Sequence, residues 1–238
     1  ARQFAFSATH QGADSRHDLA RTKRFANIVI SPGIQTQQAI DLVDTCRQHQ
    51  DRYVTKLTHC TTHRDAIEAN LKAVASQGVP NYFGAQRFGF EGGNVEQGRA
   101  MLAREIRVRN PKKKGIYLSA VRSFVFNEVL ALRIQQGLWG QTLPGDVMDA
   151  AGRPTGPLWG RGRVTTTDQA QALENGVAQR HATLCNGMEY AGLDQERRAL
   201  VASPVDMSWE WPQANQLVLT FSLPAGNYRS EEHTSELQ

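Results

Sequence analysis

Cysteine is scarce and badly spaced for chemistry. Cys46, Cys60 and Cys185 are the only three in 238 residues, with no CxxC pair among them. An odd, scattered count offers neither a disulfide framework nor a thiolate metal cluster, and it fits a reducing, cytoplasmic setting. The seven histidines are equally dispersed. His59, Cys60 and His63 form the one local cluster, and without a fourth ligand in view they read as polar residues between a strand and a helix, not as a zinc site. No P-loop and no Rossmann-type glycine fingerprint occurs, so the sequence shows no phosphate cradle of either kind. Nor does any run of residues read as long and apolar enough to cross a bilayer, and there is no signal-peptide pattern.

Negative charge is also in deficit. Lys and Arg total 27 against 23 Asp and Glu, a net charge of +4. The last ten residues, RSEEHTSELQ, match codon for codon the translation of a common sequencing-adapter oligonucleotide, so residues 229–238 are expected to be an artefactual tail. Arg229 against Glu231, Glu232 and Glu236 gives that tail −2, which leaves +6 on the 228 residues before it. A basic balance favours a polyanionic partner without choosing among RNA, DNA and an acidic membrane.

What is present is a chain long enough for one large or two modest cores. YVTKLTH, from Tyr53, alternates with Tyr53, Thr55, Leu57 and His59 on one face, the period of a strand. Thr62 followed by Asp65 starts a helix whose Ile67, Leu71 and Val74 recur until Gly78-Val79-Pro80 stops it. Gly93 to Ala103 reads as another helix. Leu118 to Arg133 is the clearest helix, capped by Ser119 and carrying Val121, Phe124, Val125, Val129 and Leu132 on a wide apolar face. Residues 137–163 read as loops, and Asp168 to Cys185 as one helix. Gln216 to Leu223 alternates, with Leu217, Leu219, Phe221 and Leu223 on one face of a strand. In the first fifty residues only Phe25 to Ile30 suggests a strand.

The most distinctive stretch is Gly78 to Gly89, GVPNYFGAQRFG. Flat rings at Tyr82, Phe83 and Phe88, amides at Asn81 and Gln86, and Arg87 among glycines suit a rigid turn that stacks bases and grips phosphate. An aromatic turn plugging a core edge is the plainer alternative. Just beyond it, Arg104 to Lys114 holds six basic residues against the single Glu105. Such a run is ordinarily a solvated face, but beside a nucleotide-binding turn it reads as a phosphate contact.

GVPNYFGAQRFG followed by Gly92-Gly93-Asn94 resembles the signature of the TruD family of tRNA pseudouridine synthases. Further segments resemble the same family in order. These are Leu118 to Asn127 (its LSAxRSxxFN element), Gly145-Asp146-Val147 with Ala151-Gly152, Thr155 to Gly160, and Leu223 to Tyr228 (its L-P-A-G-x-aromatic element). The Gly152 and Thr155 landmarks nearly touch here, whereas the family separates them more widely.

The resemblance implies an α+β fold: a mixed or antiparallel pseudouridine-synthase-like core interrupted by a TruD-specific α/β insertion domain. The expected boundaries are a partial catalytic domain over 1–77, the insertion over 78–203, a return strand over 204–228 and the tail. It implies isomerisation of uridine 13 of transfer RNA to pseudouridine, with the target base flipped out of the RNA, no metal and no cofactor. The partner would be transfer RNA, the protein a cytoplasmic monomer with no membrane contact.

In the family the nucleophilic aspartate lies in a G-x-K-D motif before a run whose end Ala1-Arg2-Gln3-Phe4 matches. The nucleophile is therefore expected upstream of Ala1, no catalytic residue is assigned, and this chain is expected to be inactive. Asp14 and Asp18 lack the motif and read as surface carboxylates. The family's Asn-x-Phe element falls at Asp51-Arg52-Tyr53, where Asp51 has lost the amide donor while Tyr53 can still stack. The expected substrate and RNA contacts are Asp51, Tyr53, Asn81, Phe83, Gln86, Arg87, Arg122, Asn127 and Tyr228. Two rival readings are a non-catalytic RNA-binding module and a poorly folded piece in which Gln216 to Leu223 would be an unpaired, aggregation-prone edge.

Overall fold

The computed structural model describes residues 45–49, 52–58, 64–214 and 216–224. Expectations for Phe25 to Ile30, Asp51, the cluster His59, Cys60 and His63, Thr62, Tyr228 and the tail lie outside the described residues, as does the side chain of Tyr53. The chain divides into two compact units. Among the described residues the first unit comprises 45–79 and 202–224, and the second Pro80–Val201.

The first unit is a four-stranded sheet in the order β1-β2-β8-β7, made of β1 (Thr45–His49), β2 (Arg52–Thr58), β7 (Val205–Gln213) and β8 (Gln216–Ser222). All three pairings are antiparallel. β8 therefore sits inside the sheet, matched to β2 from Arg52↔Ser222 to Thr58↔Gln216 and to β7 on its other side. The expectation of an unpaired edge at this strand is thus corrected: both rows of its backbone groups are taken. Its alternation holds, with Leu217, Leu219 and Phe221 buried. Helix α1 (Arg64–Gln77) adds Leu71 to that cluster, and each such side chain contributes roughly 1.5–3 kcal/mol by leaving water. Gly78, at φ 74°, ends the helix, its N–H donating to the Val74 carbonyl at 2.9 Å.

Two strands of this sheet escaped the sequence reading. β1 is one. β7 is the other, and it contains Pro212. The sheet order places β7 at an edge, and the register shifts between Glu210 and Gln213, so the missing N–H is tolerated there.

The second unit is built on α4 (Pro111–Gln135), which begins seven residues before the expected Leu118. Asn110, not Ser119, is its cap: the Asn110 side chain accepts from the Lys113 N–H at 3.2 Å, and Pro111 occupies the first turn, where its absent N–H costs nothing. By length and composition α4 could span a membrane, contrary to the sequence expectation. Here, though, it is a core helix. Val121, Val125 and Val129 pack with Leu173 and Val177 of α5 (Asp168–Arg180) and Leu184, Cys185 and Met188 of α6 (Ala182–Tyr190).

The expected single helix from Asp168 is broken at His181, at φ −114° and ψ 33°. Helix α3 (Gly93–Leu102) approaches α4 closely at Gly98, where an added Cβ would strike Val121 and the Tyr117 carbonyl. Within the stretch expected to be loops, β4 (Thr155–Leu158) pairs antiparallel with β5 (Glu196–Ala199). The pairings β1–β2, β2–β8, β7–β8 and β4–β5 are all antiparallel. The fold is α+β.

Two ion pairs lie inside this unit. Arg133 of α4 and Asp146 have fully buried side chains, and Asp146 also accepts from the Leu143 N–H at 2.8 Å. Glu174 of α5 is held by Arg197 of β5 at 2.6 Å and by the Thr166 hydroxyl at 3.0 Å.

Candidate nucleic-acid interface

The signature turn is pinned from beneath by hydrogen bonds before it offers anything to a ligand. Short strand β3 (Val79–Pro80) pairs with β6 (Val201–Ala202), and Asn81 follows it into the interior, 2 % exposed. The Asn81 amide donates to the Ala199 carbonyl at 2.8 Å, while its oxygen accepts from Arg198 at 2.7 Å. Two residues on, the Asn127 side chain closes a reciprocal pair with the Phe83 backbone. Phe83 N–H donates to Asn127 Oδ1 at 2.9 Å, and Asn127 Nδ2 donates back to the Phe83 carbonyl at 3.0 Å. A side-chain amide matches a peptide group in both donor and acceptor, so asparagine serves here as a strand-like partner for one residue.

The Phe83 ring lies edge to face with buried Phe126, centroids 5.4 Å apart. Two guanidiniums approach the same ring, Arg198 at 4.1 Å and Arg87 at 5.4 Å from its centroid. Arg87 is exposed and donates to Ser119 Oγ at 2.9 Å. Burial, and then the charge of Arg87, pull Arg198 down to about 10, so it stays a cation at neutral pH. The short helix α2 (Ala85–Phe88) carries Gln86 outward and Phe88 inward, the latter against Val95 and Ala120. Tyr82, 40 % exposed, stands at the rim, its phenol pushed up by burial and by Glu128.

Arg122 is committed elsewhere. It donates to the Leu158 carbonyl at 3.0 Å and to the Asp194 carbonyl, and it pairs with Glu196 at 3.3 Å, tying α4 to the strands β4 and β5. The expected residues whose side chains are described fall into three sets. Gln86 and Arg87 face solvent, Phe83 is half-buried at the base of the turn, and Asn81, Arg122 and Asn127 hold the frame. Arg198 was not among the expected contacts. The strand's period of two was the available signal: it sends Arg197 to buried Glu174 and Arg198 to Asn81 and Phe83. Among the described residues no group of His, Cys, Asp and Glu is arranged to hold a metal ion.

Comparison with known proteins decides what this frame belongs to. No family profile matches the chain. A protein of Hydrogenovibrio crunogenus named tRNA pseudouridine synthase D is 36 % identical over 200 residues, covering 75 % of this chain and 58 % of that protein. One of Aeromonas hydrophila with the same name is 40 % identical over 187 residues, covering 69 % of this chain and 53 % of its own length. The chain belongs to the tRNA pseudouridine synthase D (TruD) family. It spans little more than half the length of these relatives. A solved structure from Methanosarcina mazei, assigned to TruD, superposes with a TM-score of 0.53 at 16 % identity, over 74 % of this chain and 66 % of that one. That likeness extends the TruD assignment to the fold.

Proposed function

We propose that the chain is part of a tRNA pseudouridine synthase that isomerises uridine 13 of transfer RNA. The observation carrying this reading is the 36 % to 40 % identity to curated TruD relatives over most of the chain. The reaction conserves atoms: the bond from the ribose to the base nitrogen breaks, the base turns, and a bond to a ring carbon replaces it while a proton moves from carbon to nitrogen. The nucleotide must leave its stack to react, which calls for flat surfaces and edge contacts near an electropositive groove. Turn residues Tyr82, Gln86 and Arg87 supply such contacts, while Asn81, Asn127, Phe83 and Arg198 keep the turn in shape. Asp51, Tyr53 and Tyr228 complete the substrate contacts in this reading, as the family motifs imply. The insertion domain would begin near Gly78 and return near Ser203, and the enzyme would work as a cytoplasmic monomer without metal or cofactor.

No Gly-x-Lys-Asp occurs in the 238 residues, so under this reading they bind RNA without turning it over. The test incubates the product of the full-length gene and the 238-residue chain separately with unmodified tRNA transcript, then maps pseudouridine by carbodiimide-stop primer extension. Modification at position 13 by the long product alone is the expected result. Absence of pseudouridine with the long product overturns the assignment. Tight binding that is steep in salt and indifferent to replacement of uridine 13 would favour the non-catalytic RNA-binding module instead.

A further inference from the structure

The stretch between α3 and the first turn of α4 displays six positive charges. Arg104, Arg107, Arg109, Lys112, Lys113 and Lys114 are all exposed. Among the described residues none of the six has an ion pair. Elsewhere in the same unit Arg99, Arg122, Arg133, Arg153, Arg161 and Arg197 each pair with a carboxylate, whereas exposed Arg163 and Arg180, which stand singly, have no ion pair among the described residues.

One of the placements runs against the helix dipole, and one against a backbone preference. Lys112, Lys113 and Lys114 occupy the first turn of a 25-residue helix that has no acidic residue there. The positive end of the helix dipole disfavours cations at that point, and acidic residues are the usual occupants. Arg104 sits at φ 64°, the left-handed conformation that glycine adopts without strain. A merely solvated face would need neither arrangement, since helix-neutral or acidic residues would be as soluble and more stable.

We propose that this patch is a second, sequence-independent RNA contact of the unit, gripping the phosphate backbone of a folded RNA away from the turn that receives the base. The proposal rests on the tRNA reading above for its partner, but not for its geometry. A backbone contact needs cations that are exposed and free of ion pairs, and among the described residues these six meet both conditions. The cap at Asn110 fixes where the three lysines emerge, so the display is set by the fold.

The test compares the full 238-residue chain with the triple variant Lys112→Gln, Lys113→Gln, Lys114→Gln and with the control Arg180→Gln, an exposed cation on α5. Glutamine keeps the helix propensity of lysine. Binding of a fluorescent tRNA transcript is followed by anisotropy across a salt series, beside thermal unfolding of the same samples. The triple variant is expected to flatten the slope of log affinity against log salt by about 2 to 3, and the control to leave it unchanged. The thermal midpoint of the triple variant should stay level or rise. A lowered midpoint together with weakened binding would mean that the lysines are structural, and an unchanged slope would mean that they face no phosphate. Loss of affinity for anionic vesicles with the tRNA slope unchanged would assign the patch to a membrane and overturn the proposal. Failure of the full-length product to modify uridine 13 would sink the catalytic reading while leaving a flattened slope, and so the backbone contact, intact.

Discussion

In the sheet unit the buried cluster consists of Leu71, Leu217, Leu219 and Phe221, all apolar. The buried polar and charged side chains found among the described residues (Asn81, Ser123, Arg133, Thr155, Thr166 and Glu174) all belong to the helical unit. An apolar cluster tolerates many packings of similar volume, whereas a buried ion pair or amide has few satisfying arrangements. The helical unit carries the signature turn, whose shape depends on such arrangements at Asn81 and Asn127. The sheet unit, in its described part, is held by hydrocarbon burial and strand pairing. The difference teaches that polar burial is concentrated where a surface must keep one shape.

The strongest way to break that contrast is Asp146→Ala. Arg133 would stay buried without its counter-ion, at a cost of about 3–5 kcal/mol. Hydrogen exchange read on peptides of each unit should show the loss across α4, α5 and α6. Equal loss in the sheet would show that the units do not respond separately. Leu219→Ala is the apolar counterpart. A cavity under β8 should cost about 3 kcal/mol, seen as faster exchange in β2, β7 and β8, and a change below 1 kcal/mol would mean that the sheet collapses around the gap.

Asn127→Ala sharpens the comparison at the turn itself. Losing both hydrogen bonds to the Phe83 backbone should cost about 2 kcal/mol and weaken tRNA binding, because the turn is no longer pinned. Stability reduced with affinity untouched would detach the turn from RNA.

The smallest effect concerns Cys185. Burial, and then Glu189, push its thiol up to about 12 from an ordinary 9.0. The fold favours the neutral thiol, so this contribution is fully present below pH 9.0 and fades as pH rises through about 12. At pH 8 an alkylating reagent should spare the Cys185 peptide in the native protein and label it after denaturation; rapid native labelling would show that the helical core is open.

Legibility in the sequence followed the same divide. Strand β8 could be read because burial on one face forces a period of two, and Leu71 because one helix face is apolar. The start of α4 could not, since the run before Leu118 reads as charge, and Gly115 within it weakens any helical pattern. Its cap, Asn110, sits in that same basic run. The break at His181 carries no proline or glycine to mark it. Resemblance located the turn, but the partners of Asn81, Arg122 and Asn127 come from positions 36 to 118 residues away, and single-sequence periodicity does not encode such pairings.

Helix α4 leaves the ribosome before the segments that will cover it. Its valines wait for residues 170–188, and synthesis at roughly 5–20 residues per second makes that delay a matter of seconds. During it, the nascent chain presents an 18-residue stretch of α4 that by length and composition alone could cross a membrane. Once α5 and α6 follow, those valines are covered and the same segment is left as the centre of a packed core.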